Sequence, residues 1–139
     1  MRLLLILMII ASQTTYADAW YEGKWEVLGA KFPGISAIGM EEVKPYIGKS
    51  ETISKSALPL KNSSCNTPTF EESTVSQEDF ILVYGVMFED LGFSEGDVNV
   101  VHAHCENRLS FIFSHIIQNS GVTYGVWEGA YIQLEGPKL

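Results

Sequence analysis

Three histidines are the residues of this sequence whose type and spacing could bind a metal ion. His102 and His104 alternate in the run 100–104, so both imidazoles project from one side of a predicted strand, about 7 Å apart. Imidazole is a common zinc ligand, so the pair could serve a metal site that His115 completes. The alternative, which we favour, is that all three are ordinary strand histidines, half exposed to solvent.

The turn after Cys105 decides the face on which His115 lies. A two-residue turn at Asn107-Arg108 sets position 104 opposite 111 and position 100 opposite 115, which brings all three histidines to one face. A three-residue turn at 106–108 would instead send His115 to the opposite face. Even the first register places His115 opposite Val100 rather than beside the other two, so no metal or other cofactor is predicted.

Cys65 and Cys105 are the only cysteines of the chain. In an exported protein an isolated pair is most simply a disulfide. A redox-active pair needs closer spacing, such as C-x-x-C, and a nucleophilic Cys105 would need the thiol that the disulfide consumes. The bond would close a loop of about 40 residues and contribute about 4 kcal/mol on the chain-entropy model.

The sequence carries no signature of a catalytic site. It lacks a G-x-S-x-G nucleophile turn, and no glycine-rich loop precedes a helix as a phosphate site requires. The acidic residues concentrate in predicted loops and short helices, where neighbouring carboxylates are usually solvated surface rather than a glycosidase pair. We therefore predict that the protein is not an enzyme.

Residues 1–19 have the three parts of a secretory signal peptide. Arg2 is followed by an apolar run at 3–10 and by a polar stretch that ends in Ala17-Asp18-Ala19. The apolar run is well short of the roughly 20 residues that cross a bilayer, so no integral membrane segment is expected after cleavage. The mature chain is predicted to begin at Trp20, with cleavage after Ala17 as the alternative. The mature protein is expected to be periplasmic or secreted.

Acidic residues outnumber basic ones by 17 to 9, which gives a formal net charge of −8. Nucleic acid is excluded as a partner, because binding it requires a basic face. The acidic excess is compatible with docking onto a basic protein, although solubility alone also accounts for it.

The order of sequence patterns predicts a mainly β fold. Residues 23–28 alternate with Trp25 and Val27 on one face, which is typical of a half-buried strand. A short helix is predicted at 40–47 with Gly48 at its end, then a strand at 51–56 and a polar loop at 62–68.

In segment 77–90, helix and strand compete. Ser76 can cap a helix, yet the following run 80–84 is rich in β-prone residues. Four strands are then predicted, at 97–105, 109–118, 122–127 and 130–134, which form an antiparallel meander. We expect one domain over 20–139, a small antiparallel barrel or sandwich with one or two short helices.

Several aromatic side chains supply either a filled core or the lining of a ligand cavity. A small barrel can be filled by its own side chains or can hold one small apolar ligand. The candidate ligand-facing residues are Trp25, Phe111, Phe113, Tyr124 and Trp127.

The Gly23-Lys24-Trp25 motif in the first predicted strand resembles the G-x-W of lipocalins. The overall layout is similar to that of small exported lipocalin-like β proteins of Proteobacteria. The matching segments are Gly23-Lys24-Trp25, Gly48-Lys49, Cys65-x-x-Pro68, Leu91-Gly92-Phe93 and Trp127-Glu128-Gly129. This resemblance implies a periplasmic β domain with a disulfide, and it brings no catalytic residues. The chain is shorter than ordinary lipocalins and lacks an evident set of eight strands.

The function expected from these observations is that of a non-catalytic exported binding module. It would hold a small apolar ligand in the barrel or bind a periplasmic protein through its loops. The alternative is a periplasmic inhibitor or immunity protein against a cell-wall enzyme, acting through the loops at 62–68 and 89–97. The ligand hypothesis predicts a closed apolar cavity beneath Trp25, whereas the inhibitor hypothesis predicts a filled core and protruding acidic loops.

Overall fold

The computed structural model describes residues 18–106 and 109–137. The predicted signal peptide, apart from its last two residues, and the predicted turn at Asn107-Arg108 lie outside the described residues. No helix within these ranges is long and apolar enough to cross a membrane.

The described chain alternates short strands with three short α-helices. The strands are β1 Gly23–Lys31, β2 Ser50–Ile53, β3 Leu58–Pro59, β4 Ser64–Cys65, β5 Thr69–Val75, β6 Val98–His104, β7 His115–Asn119, β8 Val122–Trp127 and β9 Ala130–Glu135. The helices are α1 Met40–Val43, α2 Gln77–Tyr84 and α3 Phe88–Leu91, with 3-10 turns at Lys44–Tyr46 and Ile112–Ser114.

Seven strands form one curled antiparallel sheet in the order β2-β1-β9-β8-β7-β6-β5. The sheet is a half-barrel with β2 and β5 as its open edges, and β3 and β4 make a small second sheet. The predicted mainly β fold, its antiparallel meander and its short helices are therefore confirmed.

The sheet is buried on both sides by two separate hydrophobic clusters. On the side we call the helix face, α2 and α3 pack against β6 to β9 through Phe80, Phe88, Leu91, Val98, Val100, Ile117, Tyr124 and Tyr131. The opposite side, the disulfide face, contains Trp25, Val27, Cys65, Val101, Ile116, Trp127 and Ile132. Strands buried on two faces lose the simple alternation of apolar and polar residues, which explains the adjacent buried pairs Val100-Val101 in β6 and Ile116-Ile117 in β7.

Segment 77–90 is helical, which resolves the ambiguity of its sequence. The backbone N–H of Asp79 donates to the Ser76 hydroxyl at 3.2 Å, so the predicted cap is in place. Gly85 ends α2 in the left-handed conformation, with φ 71°. These two caps, one at each end, outweigh the β preference of the apolar run between them.

The predicted strand at 109–118 is wrong in its first half. Residues 112–114 form a 3-10 turn instead, in which the Phe111 N–H donates to the Ser114 hydroxyl at 3.0 Å. The turn lies against β8 at Gly125, where any Cβ would collide with the carbonyl oxygen of Ile112. Because Phe111, Ile112 and Phe113 all pack in the cluster of the disulfide face, the segment needs an irregular backbone, since a strand would send Ile112 to the opposite face.

Strand β5 is present although the sequence pattern does not predict it. Glu71, Glu72, Ser73 and Thr74 are exposed on both sides of this edge strand, so it lacks the apolar alternation by which strands are recognised. The predicted polar loop at 62–68 also contains the short strand β4, whose Cys65 is buried.

The Cys65–Cys105 disulfide is present, as predicted, and ties the β4 segment to the end of β6. Replacement of both cysteines by alanine is expected to lower the free energy of unfolding by about 4 kcal/mol, because the bond closes a loop with a sequence separation of 40 residues. Urea unfolding of the two proteins measures this difference. An equal midpoint for both would contradict it.

Candidate functional site

The three histidines lie side by side on the helix face. His102 pairs directly with His115 across β6 and β7, and their ring centroids are 4.1 Å apart. The rings of His102 and His104 are 6.4 Å apart and nearly parallel. The structure resolves the register that the sequence left open: His115 shares a face with His102 and His104, as the two-residue turn would have it, but it pairs with His102 rather than with Val100. The 3-10 turn Ile112–Ser114, which ends where β7 begins, accounts for this difference.

His115 lies beneath the C-terminal end of α2. Its Nε2 is 2.8 Å from the hydroxyl of Tyr84. Burial, with a smaller contribution from the nearby His102, lowers the pKa of His115 to about 4. Burial likewise raises the pKa of Tyr84. The hydroxyl therefore stays protonated and donates a hydrogen bond to the neutral imidazole of His115.

His104 is exposed to solvent, whereas His102 and His115 are half-buried. The Nε2 of His104 is 3.7 Å from a carboxylate oxygen of Glu71 on β5, with both side chains largely exposed. Glu71 itself pairs in register with His102. Among the described residues, no three His, Cys, Asp or Glu side chains are grouped so as to hold a metal ion. The cluster as placed supplies ring packing and one buried hydrogen bond.

The five candidate ligand-facing aromatic residues do not surround a common cavity. Trp25, Phe111, Phe113 and Trp127 are buried on the disulfide face. Tyr124 is buried on the helix face, where its hydroxyl donates to the carbonyl of Leu91 at 2.6 Å. The sheet therefore separates Tyr124 from the other four.

Protein groups already occupy the positions beside Trp25 that a ligand would have to contact. Its indole N–H donates to the carbonyl of Tyr21 at 2.8 Å, and its ring contacts the backbone at Gly136 so closely that a Cβ there would collide with it. The cavity beside Phe111 and Phe113 has a volume of only about 30 Å³. A cleft of about 940 Å³ lies near Trp20, Gln118 and Pro137, with Trp25 at its edge only 3 % exposed.

The outer side of α2 carries an exposed apolar surface that the sequence patterns do not identify. Ile81, Leu82 and Val83 are 46 %, 82 % and 62 % exposed, and Met87 is 49 % exposed. A groove of about 110 Å³ separates α2 from α3 and is floored by Phe80 and Val86. We call these four exposed side chains and this groove the α2 surface. The apolar run 80–84 is the signal for it, since a helix buries only part of such a run.

Carboxylates flank the α2 surface at both ends. Glu78 and Asp79 lie in the first turn of α2, and Glu89 and Asp90 lie in the first turn of α3. Lysine and arginine are absent from 76–97 in the sequence. The Lys31 ammonium, 3.4 Å from the carbonyl of Asp90, is a cation that reaches this region from β1.

The predicted acidic loop at 89–97 is helical in its first three residues, which belong to α3, and its remaining part, 92–97, is anchored by Asn119. The buried side-chain amide of Asn119 accepts from the N–H of Ser94 at 2.9 Å and donates to the carbonyls of Ser94 and Asp97. Such buried side-chain hydrogen bonds to backbone hold a loop in one conformation.

The fold and site define a mainly β protein, an open antiparallel half-barrel with one apolar helix on its surface. Comparison of the chain with protein-family models, curated protein sequences and solved structures finds no significant match. The resemblance to lipocalin-like exported proteins stays a prediction.

The low pKa of His115 makes folding stability depend on pH in a defined window. The unfolded chain binds this proton at about pH 6.5 and the folded protein only at about pH 4. Its contribution to stability is therefore complete above pH 6.5, and about 3 kcal/mol is lost as the pH falls to 4. Urea unfolding between pH 7.5 and 4 measures this loss.

The matched control for this dependence is His104→Gln, which removes an exposed histidine of the same face. His115→Gln is expected to flatten the loss of stability across the window, whereas His104→Gln leaves it in place. An unchanged pH dependence in the His115→Gln protein would assign the effect to other groups.

Proposed function

We propose that the protein is an exported, non-catalytic binding module, periplasmic or secreted, whose α2 surface docks a basic segment of another protein. The observation that carries this proposal is the exposure of three consecutive apolar side chains, Ile81, Leu82 and Val83. A small helix that is apolar on its outer as well as its inner side is typical of a helix with a second packing partner.

The size of the α2 surface suits a peptide-like segment with one apolar anchor. The groove of about 110 Å³ between α2 and α3 accommodates one aliphatic side chain, and Leu82 and Met87 are available beside it. Full burial of such side chains contributes about 1.5 to 3 kcal/mol each. After the costs of association, a few of them support binding in the micromolar range.

Charge complementarity favours a basic partner. Six carboxylates and no lysine or arginine occur in 76–97, and the whole chain has a formal net charge of −8. An acidic partner would have to approach the apolar patch against this field, and a neutral one would gain nothing from it. A segment with lysine or arginine beside an apolar residue would contact both the carboxylates at the ends of the α2 surface and the apolar side chains between them.

A small ligand inside the sheet is less well supported than a protein on its surface. The cavity beside Phe111 and Phe113, about 30 Å³, is far below the roughly 300 Å³ of a typical ligand pocket. In the part of the chain that the structure describes, the Trp25 ring packs on the backbone at Gly136 and borders an open cleft, rather than the closed apolar cavity expected for a ligand carrier.

The inhibitor or immunity function remains as a more specific form of protein binding. The observation that favours it is the anchoring of the acidic loop 89–97 by Asn119, because a loop held in one conformation loses little entropy on insertion into a cleft. The segment begins within α3, which borders the groove of the α2 surface, so a basic enzyme that bound the segment would also contact the α2 surface.

The docking proposal is tested with a synthetic helical peptide of leucine and lysine and with its leucine and glutamate counterpart. The wild-type protein is expected to bind the lysine peptide, with an affinity that falls as salt rises, and not the glutamate peptide. Leu82→Asp is expected to weaken binding at least about tenfold, although it adds negative charge, because it removes an apolar contact. Isothermal titration calorimetry gives the dissociation constants.

The matched control variant is Leu109→Asp, because Leu109 is 91 % exposed and lies outside the α2 surface. It introduces the same charge and is expected to leave the affinity within about twofold of wild type, within the usual range for surface substitutions. Equal affinities of the Leu82→Asp and Leu109→Asp proteins would refute docking at α2.

Export is tested by the mass of the protein recovered from the periplasm. A mature chain that begins at Trp20 and is two hydrogens lighter than its reduced form is expected, since the signal is removed and the disulfide forms after translocation. Intact residues 1–19 in this fraction would overturn the proposal of a cleaved signal.

A further inference from the structure

Tyr84 joins the docking helix to the histidines below it. It is the last residue of α2, its ring stacks on Phe80 at 4.7 Å, and its hydroxyl is 2.8 Å from Nε2 of His115. Phe80 is fully buried and floors the groove between α2 and α3. The position of α2 therefore depends on the same contacts that shield His115 from water.

The groups around His115 oppose a positive charge at its ring. From β6 the ring of His102 contacts it at 4.1 Å, with His104 beyond, and α2 contributes the hydroxyl of Tyr84. Tyr131 on β9, with its pKa raised to about 12 by burial, is uncharged. On β8, Gly125 pairs with Ile116, the residue that follows His115, and the next residue of β8 is the uncharged Val126.

A negative charge lies farther off, on strand β5. Glu71 pairs in register with His102, and its carboxylate is 3.7 Å from His104, so it stands beyond these two rings as seen from His115. The side chains of Glu71 and His104 are both largely exposed, and solvent screens the effect of the carboxylate charge on the buried ring of His115. Protonation of His115 is therefore not offset by a carboxylate within the cluster.

We propose that His115 and Tyr84 form a proton-operated latch under α2, so that acidification favours a state in which α2 has lifted from β7. The consequence for binding rests on the proposed function, because lifting α2 dismantles the groove and its apolar rim. The latch itself is a property of the free protein. Partner binding holds α2 against β7, and acid releases both the helix and the partner.

The strength of the latch follows from the two protonation equilibria of His115. The ring titrates at about pH 4 when α2 covers it and near pH 6.5 once α2 has lifted and water reaches it. A shift of pH from 7.5 to 5.0 therefore raises the population of the open state about 25-fold.

Hydrogen exchange of the free protein measures the opening directly. The amides of Phe80 and Gly85 donate to Ser76 and Ile81 within α2, so their protection factors report whether the helix is seated. We expect these factors, corrected for intrinsic exchange, to fall about 25-fold from pH 7.5 to 5.0 and to lie below those of β8 and β9 at both pH values, because α2 lifts without global unfolding. Equal protection of α2, β8 and β9 at both pH values, or no fall in α2, would overturn the latch.

The variants assign the effect to one ring. His115→Gln keeps an acceptor for Tyr84 but has no charge to gain, so α2 protection is expected to change less than about threefold over the same range. His104→Gln is expected to behave as wild type. If His115→Gln retains the full response, His115 is not the latch.

Nuclear magnetic resonance of the wild-type protein decides the question even if His115→Gln fails to fold. The ring of His115 is expected to titrate near pH 4, well below the ordinary 6.5, while α2 remains seated. A His115 ring that titrates near 6.5 without loss of α2 protection would refute the proposal.

The same samples separate the latch from docking. If the lysine peptide fails to bind at pH 7.5 while α2 still loses protection in acid in a His115-dependent way, the docking function is refuted and the latch is supported. Binding at pH 7.5 that weakens equally in wild type and His115→Gln at pH 5.0 would remove the latch and leave the function.

Discussion

The close packing of Ile112 on Gly125 is the constraint on which the register of β7 in the sheet depends. A side chain at 125 would collide with the carbonyl of Ile112, so the 3-10 turn lies on β8 only because the position is glycine. This turn ends where β7 begins, at His115, and so fixes the pairing of His102 with His115. A slip of one residue would exchange the two faces of β7 and bring the buried Ile116 under α2.

That register gives the helix face two different regions. Toward α3 it is aromatic and apolar, with Phe93, Tyr124 and Phe88 around Phe80. Toward β5 it becomes the row of imidazoles, covered on one side by Tyr84. The helix α2 spans both regions, so one short element is held by the core at Phe80 and by a titratable contact at its end. Its outer side is left apolar and open to a partner.

The proposed binding and its proposed control by pH thus arise from the two sides of one helix. A helix of eight residues has little stability of its own and depends on tertiary packing. Small changes beneath it are therefore able to change its position without unfolding the sheet, which the disulfide and two hydrophobic clusters stabilise independently.

The sequence by itself determined the features that depend on local chemistry. The alternation around Trp25, the caps of α2 at Ser76 and the turns of the C-terminal meander follow from neighbouring residues, and the isolated cysteine pair predicts its own bond. Only the tertiary structure decided the partition of the aromatic residues between two faces, the existence of β5 and the position of His115 beside His102. These depend on contacts between residues distant in sequence, above all Ile112 with Gly125. The exposure of α2 belongs to the same group, because an apolar run shows that burial is needed but not which side chains the rest of the fold can cover.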